Sequence, residues 1–306
     1  MNIPRGRSAI IAVLYITACL AVGWGAVRLF LDSTDGFYEA GVLVDFPCDD
    51  LWLSKNQGIS SEDAAMILQK PFSYFAKGTQ SYVFLSEDRN YVLKIFKAKH
   101  LNMPRLLESL NWLPILGPMI EAKSERRREK REKIFGGHLL AQSELLSSGL
   151  LYCHFTRSPA TESLPKIQVL DKSGTLHTFS PEAVSFLIQK RGIALTTQLQ
   201  SYRNNGQFEK AQQALHEIFT YLSERNKSGL YDRDPAYAQN LGFIDGVATN
   251  LDVGNLQRRE EIPQPSEIAD EIRCRLYGLR NWLYLHYPEL IATFDREIDA
   301  LKPSEG

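Results

Sequence analysis

Cysteine is scarce in this sequence, and neither sign of charge is in excess. The four cysteines, Cys19, Cys48, Cys153 and Cys274, lie far apart and form no Cys-x-x-Cys pair. Neither a zinc site nor a disulfide framework is therefore predicted. The 35 lysines and arginines are balanced by 36 aspartates and glutamates, which gives a formal net charge of −1. Without a basic field over the whole chain, nucleic acid is not an expected partner.

The longest stretch without charge lies at the N-terminus. Residues 9–27, AIIAVLYITACLAVGWGAV, contain no charged side chain. A helix rises about 1.5 Å per residue, so this run is about as long as the hydrocarbon core of a bilayer is thick. Residues 1–31 are thus predicted to form a transmembrane anchor that binds the membrane through residues 9–27. A cleaved signal peptide is the alternative, since Ala21 and Ala26 could serve a peptidase, and the protein would then be secreted.

The charges on either side of this run predict an orientation. Arg5 and Arg7 precede the run, whereas Asp32, Asp35 and Glu39 follow it. Positive charge is retained on the cytoplasmic side of a membrane helix. We therefore expect a single-pass protein whose N-terminus is inside and whose remaining chain lies across the membrane.

The next segments contain the first signs of a folded domain. Residues 32–71 are predicted to be a linker with a short helix beginning after Ser60, a good N-cap followed by acidic residues. Residues 72–97 alternate as antiparallel strands do, with a turn at SEDRN. Lys94 interrupts the apolar run V-L-K-I-F. A lysine on a buried strand needs an anionic partner, so Lys94 is expected to face a cleft, and an edge strand in water is the alternative.

An acidic segment lies in the second half of the chain, at residues 229–254 (GLYDRDPAYAQNLGFIDGVATNLDVG). The runs LGFI and VATNLD are joined by Asp245-Gly246, which predicts a β-hairpin. This hairpin would bring Asn240 and Asp252 face to face, and Mg²⁺ prefers such oxygen ligands together with phosphate. Binding of Ca²⁺ by the acidic cluster is an alternative, although DRDPAY does not match an EF-hand loop.

In order and spacing, these segments resemble the protein-kinase-like superfamily. The loop KGTQSYVF resembles its nucleotide loop, VLKIFK its phosphate-pairing lysine segment, and the acidic segment its catalytic loop, hairpin and D-F-G motif. The resemblance implies ATP and Mg²⁺ as cofactors. The catalytic residues that it implies are Asp234, Lys94 and Asp232. For nucleotide binding it implies Gly78, Ser81, Lys94, Glu144 and Gln189. For the metal it implies Asn240 and Asp252.

Several positions depart from the kinase pattern. Asn240 is six residues after Asp234 instead of five, so Asp232 is an alternative base. The loop has one glycine, Gly78, where three are usual. Glu144, on the helix expected to carry the partner of Lys94, lies close to the end of that helix. A catalytically inactive pseudokinase that binds a partner at the membrane is therefore the alternative to an active enzyme.

The resemblance also implies an architecture, namely an α+β, two-lobed kinase-like fold behind one N-terminal transmembrane helix. Residues 72–190 would form a first lobe of antiparallel strands with an insertion at 98–135, and residues 191–306 a small, mainly helical second lobe. The charged run SERRREKREK in the insertion is predicted to be a solvated helix, with a membrane-surface helix as the alternative. The implied reaction transfers a phosphate from Mg-ATP to an unknown hydroxyl acceptor.

Overall fold

The computed structural model describes residues 5–46, 58–104, 107, 112, 116–155, 163–234 and 237–301. The helices are α1 (Arg5–Thr34), α2 (Ser61–Ile67), α3 (Ala98–Leu101), α4 (Gly117–Glu144), α5 (Leu195–Asn204), α6 (Phe208–Lys227), α7 (Pro265–Arg275), α8 (Tyr277–His286) and α9 (Ile291–Ala300). The strands of the first half are β1 (Phe72–Lys77), β2 (Ser81–Leu85), β3 (Tyr91–Phe96), β4 (Leu150–His154), β5 (Ile167–Leu170), β6 (Leu176–Phe179) and β7 (Phe186–Lys190). Those of the second half are β8 (Ile193–Ala194), β9 (Leu230–Asp232), β10 (Leu241–Ile244), β11 (Val247–Asn250) and β12 (Leu256–Arg258). The fold is therefore mixed α+β, as expected.

A curled sheet of seven strands forms the first half of the fold, in the order β4-β7-β3-β2-β1-β5-β6. All neighbouring pairs are antiparallel except β1 with β5. The predicted turn between β2 and β3 is present, with Asp88 accepting hydrogen bonds from Ser86 and Asn90. Because β3 lies between β2 and β7, Lys94 is not on an edge strand, and that alternative is wrong.

Two hydrophobic clusters hold the fold together. One lies against the sheet and includes Phe72, Phe84 and Phe186. The other surrounds α6, whose buried residues Ala211, Ala214, Leu215, Ile218 and Leu222 recur at helical spacing. Such an apolar stripe is what buries a helix against its neighbours. The site described below lies between segments that pack in these two clusters.

The charged run forms the first part of a longer helix than the sequence indicated. SERRREKREK lies within α4, whose 28 residues extend through the apolar segment that follows. Arg128 pairs with Glu125 and Glu132 on the exposed side, as expected of a solvated helix. Toward its C-terminal end the same helix buries Ile134 and Phe135. One rigid element thus connects the charged surface with the core.

The segment after the acidic stretch forms the three helices α7, α8 and α9. The residues IADEIRCRLYGLRNWLYLHY are divided between α7 and α8. The division falls at Leu276, which is fully buried, whereas the next residue, Tyr277, is largely exposed. Packing of Leu276 into the core therefore fixes where one helix ends and the next begins.

The apolar helix α1 is attached directly to the sheet. Ile11–Thr34 is long and apolar enough to cross a membrane, although a signal sequence meets the same criterion. The helix ends at Thr34, and the next residue, Asp35, has a φ of 53°. The Asp35 carboxylate accepts hydrogen bonds from Tyr74 at 2.7 Å, Lys172 at 3.2 Å and Lys77 at 3.3 Å. Phe37 then enters the core, so the connection between α1 and the sheet is short.

We expect Asp35→Asn to lower the midpoint of thermal unfolding at neutral pH. Asparagine tolerates a positive φ but lacks the charge that Tyr74, Lys172 and Lys77 stabilise. These partners lower the pKa of Asp35 from 3.8 to about 2. The stabilisation is therefore fully present above pH 3.8 and lost as the pH falls through about 2. Thermal unfolding over this pH range tests it, with the exposed Asp270→Asn as control; equal losses in both variants would contradict it.

Candidate active site

Lys94 connects the sheet to the segment that precedes Asp252. Its Nζ donates a hydrogen bond to the Leu251 carbonyl at 2.9 Å. Gln189 on β7 donates to the same carbonyl at 3.3 Å and to the Ser148 carbonyl at 2.7 Å. Two strands of the sheet thus hold one backbone oxygen of the acidic segment. The Gln189 side chain serves this attachment. The backbone N–H of residue 190 donates to the carbonyl of residue 149, and that of residue 191 donates to the carbonyl of residue 90.

Asp252 keeps its side chain accessible to solvent and lies in a positive environment. Partial desolvation raises its pKa, but Lys94, His138 and the backbone N–H groups of Val253 and Gly254 outweigh this effect, so that the pKa lies below its usual value. One carboxylate oxygen accepts from the Gly254 N–H at 3.3 Å. The charged form of Asp252 is therefore favoured, which a cation-binding group requires.

His138 is a site residue that the sequence analysis missed. It projects from α4 and is almost fully buried, and its Nδ1 donates to the Ile134 carbonyl at 2.6 Å. Burial lowers the pKa of His138 to about 4, so the ring is neutral at physiological pH. A β-carbon added at Gly254 would lie 2.9 Å from its Cε1 atom. A lone histidine in an apolar helix carries no sequence signal that distinguishes this position from an ordinary core histidine.

Glu144 has a different partner from the one expected. It forms an ion pair with Arg258 on β12. Among the ion pairs of the described residues, none joins Glu144 to Lys94. The face of α4 that approaches Lys94 and Asp252 carries His138, six residues before Glu144, and a neutral imidazole cannot replace a carboxylate as the ionic partner of a lysine.

The contact between α4 and the Asp252-Val253-Gly254 segment depends on a glycine. A β-carbon at Gly137 would lie 2.9 Å from the carbonyl oxygens of both Val253 and Gly254. Neighbouring Gly136 has open space around the same position. Gly137 is therefore required for the close approach of helix and backbone, whereas Gly136 is not.

The predicted hairpin is present and positions Asn240. Strands β10 and β11 pair from Leu241 opposite Asn250 to a turn at Asp245 and Gly246, both with positive φ as the Asp-Gly signal implies. The Leu251 N–H donates to the Asn240 carbonyl at 2.7 Å. The side-chain amide nitrogen of Asn240 is buried without a hydrogen-bond partner. Rotation of this amide by 180° would place an acceptor oxygen there instead, since the two orientations are hard to distinguish.

The predicted metal residues are Asp252 and Asn240. No group of three or more His, Cys, Asp or Glu side chains suited to a metal occurs among the described residues. Mg²⁺ needs only one or two carboxylates, with phosphate and water completing its coordination. A Mg²⁺ site at Asp252 and Asn240 therefore stays a prediction.

Asp232 and Asp234 lie in different environments. Asp232 is almost fully buried and accepts hydrogen bonds from the Asn250 side chain at 3.1 Å and the Asp234 N–H at 2.8 Å. Burial raises the pKa of Asp232 to about 6. Asp234 is partly exposed, accepts from the Asn255 side chain at 3.0 Å, and lines a cavity of about 520 Å³. Asp234 is therefore better placed than Asp232 to reach a bound molecule.

The remaining aspartate of the acidic segment lies apart from these groups. Asp245 is at the exposed hairpin turn and pairs with Lys190 at 2.5 Å. The aspartates at positions 232, 234, 245 and 252 thus have four different sets of partners, which is not the arrangement that a Ca²⁺ loop requires.

The loop between β1 and β2 is a tight turn. The Gly78 N–H donates to the Ser81 carbonyl at 2.9 Å, and Thr79 and Gln80 form the tip. Ser81 is buried and pairs with Phe96 across the sheet. A β-carbon at Gly254 would lie 3.1 Å from the Gln80 side-chain oxygen. The turn therefore reaches the Asp252-Val253-Gly254 segment through Gln80, which the sequence analysis did not identify.

No protein-family model and no curated protein matches this sequence. Among solved structures, the bifunctional kinase-methyltransferase WbdD is 15% identical with a TM-score of 0.39, over 77% of this chain and 47% of WbdD. WbdD crystallised with the kinase inhibitor LY294002 is 15% identical with a TM-score of 0.37, over 76% of this chain and 46% of WbdD. WaaP in complex with acyl carrier protein is 13% identical with a TM-score of 0.31, over 86% of this chain and 99% of WaaP. This chain spans about half the length of WbdD, and scores this low carry no functional conclusion.

We expect Gly137→Ala to destabilise the fold by about 1–3 kcal/mol, the usual cost of forcing an extra methyl group into a packed contact. The added methyl would press on two backbone carbonyls, which cannot move independently of Asp252. Gly136→Ala is the matched control and should be neutral or stabilising by roughly 0.5–1 kcal/mol, because alanine favours helix. Urea unfolding of both variants measures the difference, and equal stabilities would show that α4 does not approach the segment this closely.

The buried imidazole of His138 should make stability depend on pH. Its pKa is about 4 in the folded protein against 6.5 as the ordinary value. The unfolded chain binds the proton first, so stability is lost as the pH falls from 6.5 to about 4. His138→Gln should remove the contribution of this imidazole to the loss, which is on the order of 3 kcal/mol. Urea unfolding at several pH values tests it against the exposed control His286→Gln, and parallel pH profiles of parent and His138→Gln would contradict it.

Proposed function

We propose that this protein is a kinase-like phosphotransferase that transfers a phosphate from Mg-ATP to a hydroxyl acceptor. The observation that carries the proposal is the junction of Lys94 and Asp252. These residues lie far apart in sequence, and the bond from Lys94 to the Leu251 carbonyl brings the lysine beside the carboxylate whose pKa it lowers. A lysine and a charged aspartate at the meeting point of a sheet and a hairpin are the groups that phosphoryl transfer requires.

Each group would have a separate role. Lys94 would bind the phosphates, and Asp252 with Asn240 would hold Mg²⁺, which neutralises phosphate charge when bound. Asp234 would orient the acceptor hydroxyl from the cavity that it lines. Asp232 is the weaker candidate for this role because Asn250 and the Asp234 N–H already occupy its carboxylate. Gly78, Ser81 and Gln80 would shape the turn near the phosphates.

We also propose a two-lobed arrangement at a membrane. The seven-stranded sheet would be the first lobe, the helices after residue 191 the second, and the nucleotide would bind between them. The α1 helix would be a single-pass anchor with its N-terminus inside. The direct attachment of Asp35 to the sheet supports an anchor fixed to the domain.

A binding module without catalytic activity is the second candidate function. The specific observation in its favour is the neutral His138 beside Lys94 and Asp252, where an active kinase-like site is expected to have a carboxylate. Glu144 is held by Arg258 instead. Placement of the domain outside the cytosol, where ATP is scarce, would also favour this candidate.

Thermal unfolding of the full chain in detergent, with ATP and with or without Mg²⁺, tests the proposal. A ligand at a hundred times its dissociation constant stabilises the fold by about 2.7 kcal/mol, which is readily observed. We expect a Mg²⁺-dependent increase that Lys94→Ala and Asp252→Ala abolish and Asn240→Ala weakens. Asp234→Asn should retain it, because its role is with the acceptor.

The controls are Lys123→Ala and Asp270→Ala, which remove the same charges from exposed positions. They should retain the full increase with Mg-ATP. No increase for the parent at millimolar ATP would contradict the phosphotransferase and favour the binding module. An increase that survives in Lys94→Ala and Asp252→Ala would show that the nucleotide binds elsewhere.

A further inference from the structure

Four cationic side chains surround the turn between β1 and β2. This cation cluster consists of Lys97, Lys99, Arg127 and Lys130. Lys97 and Lys99 lie at the start of α3, and the other two lie on the facing part of α4. Among the ion pairs formed by the described residues, none involves a member of the cluster. Four cations without a carboxylate partner within 4.0 Å are unusual in a chain that has slightly more acidic than basic residues.

The hydrogen bonds of the cluster go to neutral groups. Lys97 is a buried residue, and its amine donates to the Gly78 carbonyl at 2.5 Å. Arg127 donates to the Lys99 carbonyl at 2.5 Å. Lys130 donates to Nδ1 of His100 at 2.9 Å, and Nε2 of that ring donates to the Thr79 carbonyl at 2.9 Å. These bonds fix Lys97, Arg127 and Lys130 in place but do not compensate their charge, while Lys99 is exposed.

The cations lower one another's pKa values electrostatically. Burial lowers the pKa of Lys97 to about 8, with further lowering by Lys99 and Lys77. Burial followed by Arg127 and Lys99 lowers the pKa of Lys130. Like charges brought together in this way destabilise the fold unless an anion joins them. An anion bound among them would relieve this repulsion.

We propose that the cation cluster binds a multivalent phosphate group. Lysine amines bind phosphate as point charges and an arginine guanidinium binds it through a planar pair of donors, so both kinds of donor suit this ligand. The cluster shares the turn between β1 and β2 with the proposed nucleotide site but contains neither Lys94 nor Asp252. Lys130 lies eight residues before His138 on α4, which is about 12 Å along the helix axis.

The phosphate could belong to a lipid headgroup or to a soluble compound. Lys77, which ends β1 and acts on Lys97, pairs with Asp35 at the end of the apolar helix α1. The cluster therefore lies near the end of α1 at which the headgroups of a membrane would be. A soluble diphosphate offers the same chemistry without the membrane, and the experiment separates the two sources.

The test uses the full chain in phosphatidylcholine nanodiscs without nucleotide or Mg²⁺. Thermal unfolding is measured with sodium pyrophosphate at constant ionic strength, and separately in nanodiscs that contain phosphatidic acid. The variant is Lys99→Gln with Lys130→Gln, which leaves the buried Lys97 in place. The matched control is Lys123→Gln with Lys133→Gln, two exposed lysines of α4.

We expect pyrophosphate or phosphatidic acid to raise the unfolding midpoint of the parent and of the control, and binding to weaken by about tenfold for each charged contact that the cluster variant loses. A response to pyrophosphate alone assigns the site to a soluble phosphate, and a response to phosphatidic acid alone assigns it to a lipid. No response to either probe, or equal responses in the cluster variant and the control, would overturn the proposal.

The proposed nucleotide site provides an independent check. In Lys94→Ala and in Asp252→Ala, the response to pyrophosphate or phosphatidic acid should persist, because neither residue belongs to the cluster. Loss of the response in Lys94→Ala, with a normal response in the cluster variant, would place the phosphate beside Asp252 and overturn the proposal. Failure of the cluster and failure of the nucleotide site are thereby distinguished.

Discussion

The carbonyl of Leu251 is the point on which the site depends. It accepts hydrogen bonds from Lys94 on β3 and from Gln189 on β7, so the sheet holds the backbone one residue before Asp252. Gln189 is buried and Lys94 is partly buried, and a lost bond at Gln189 would leave a buried polar group without a partner. The position of Asp252 relative to Lys94 is thus set by backbone attachment and not by an ion pair between them. This arrangement lets the lysine act on the carboxylate electrostatically while both keep their own contacts.

The side chain of Leu251 fixes the same segment from its other side. Added β-carbons at Gly192 and Gly242 would lie 2.3 Å and 2.7 Å from its methyl groups. The two glycines therefore provide the room that the leucine fills, between the end of the sheet and the hairpin. Together with Gly137 against the carbonyls of Val253 and Gly254, they make this a region where backbone approaches backbone closely. Such contacts leave little freedom for Asp252 to move independently.

The sequence predicted the parts of the site whose signals are local. The turn at Asp245-Gly246 predicted the hairpin, and the interruption of an apolar strand by Lys94 predicted a residue that faces inward. The partner on α4 was not predictable in this way, because it depends on how far the helix slides and rotates. Gly137 sets that position by its contact with the backbone, and it places His138 toward Asp252 and Glu144 toward Arg258. The sequence alone does not distinguish Gly137, which contacts the backbone, from Gly136, which does not.

Strand β1 connects the end of the apolar helix α1 to the site. Its start pairs with β5, and its residues Tyr74 and Lys77 hold Asp35 at the end of α1. Its last residue leads directly into the turn whose Gln80 side chain reaches Gly254. Beyond Ser73 the strand pairs only with β2, and its register shifts between Tyr74 and Ala76. The residues that hold Asp35 and the turn that reaches Gly254 therefore belong to one short stretch of a single strand.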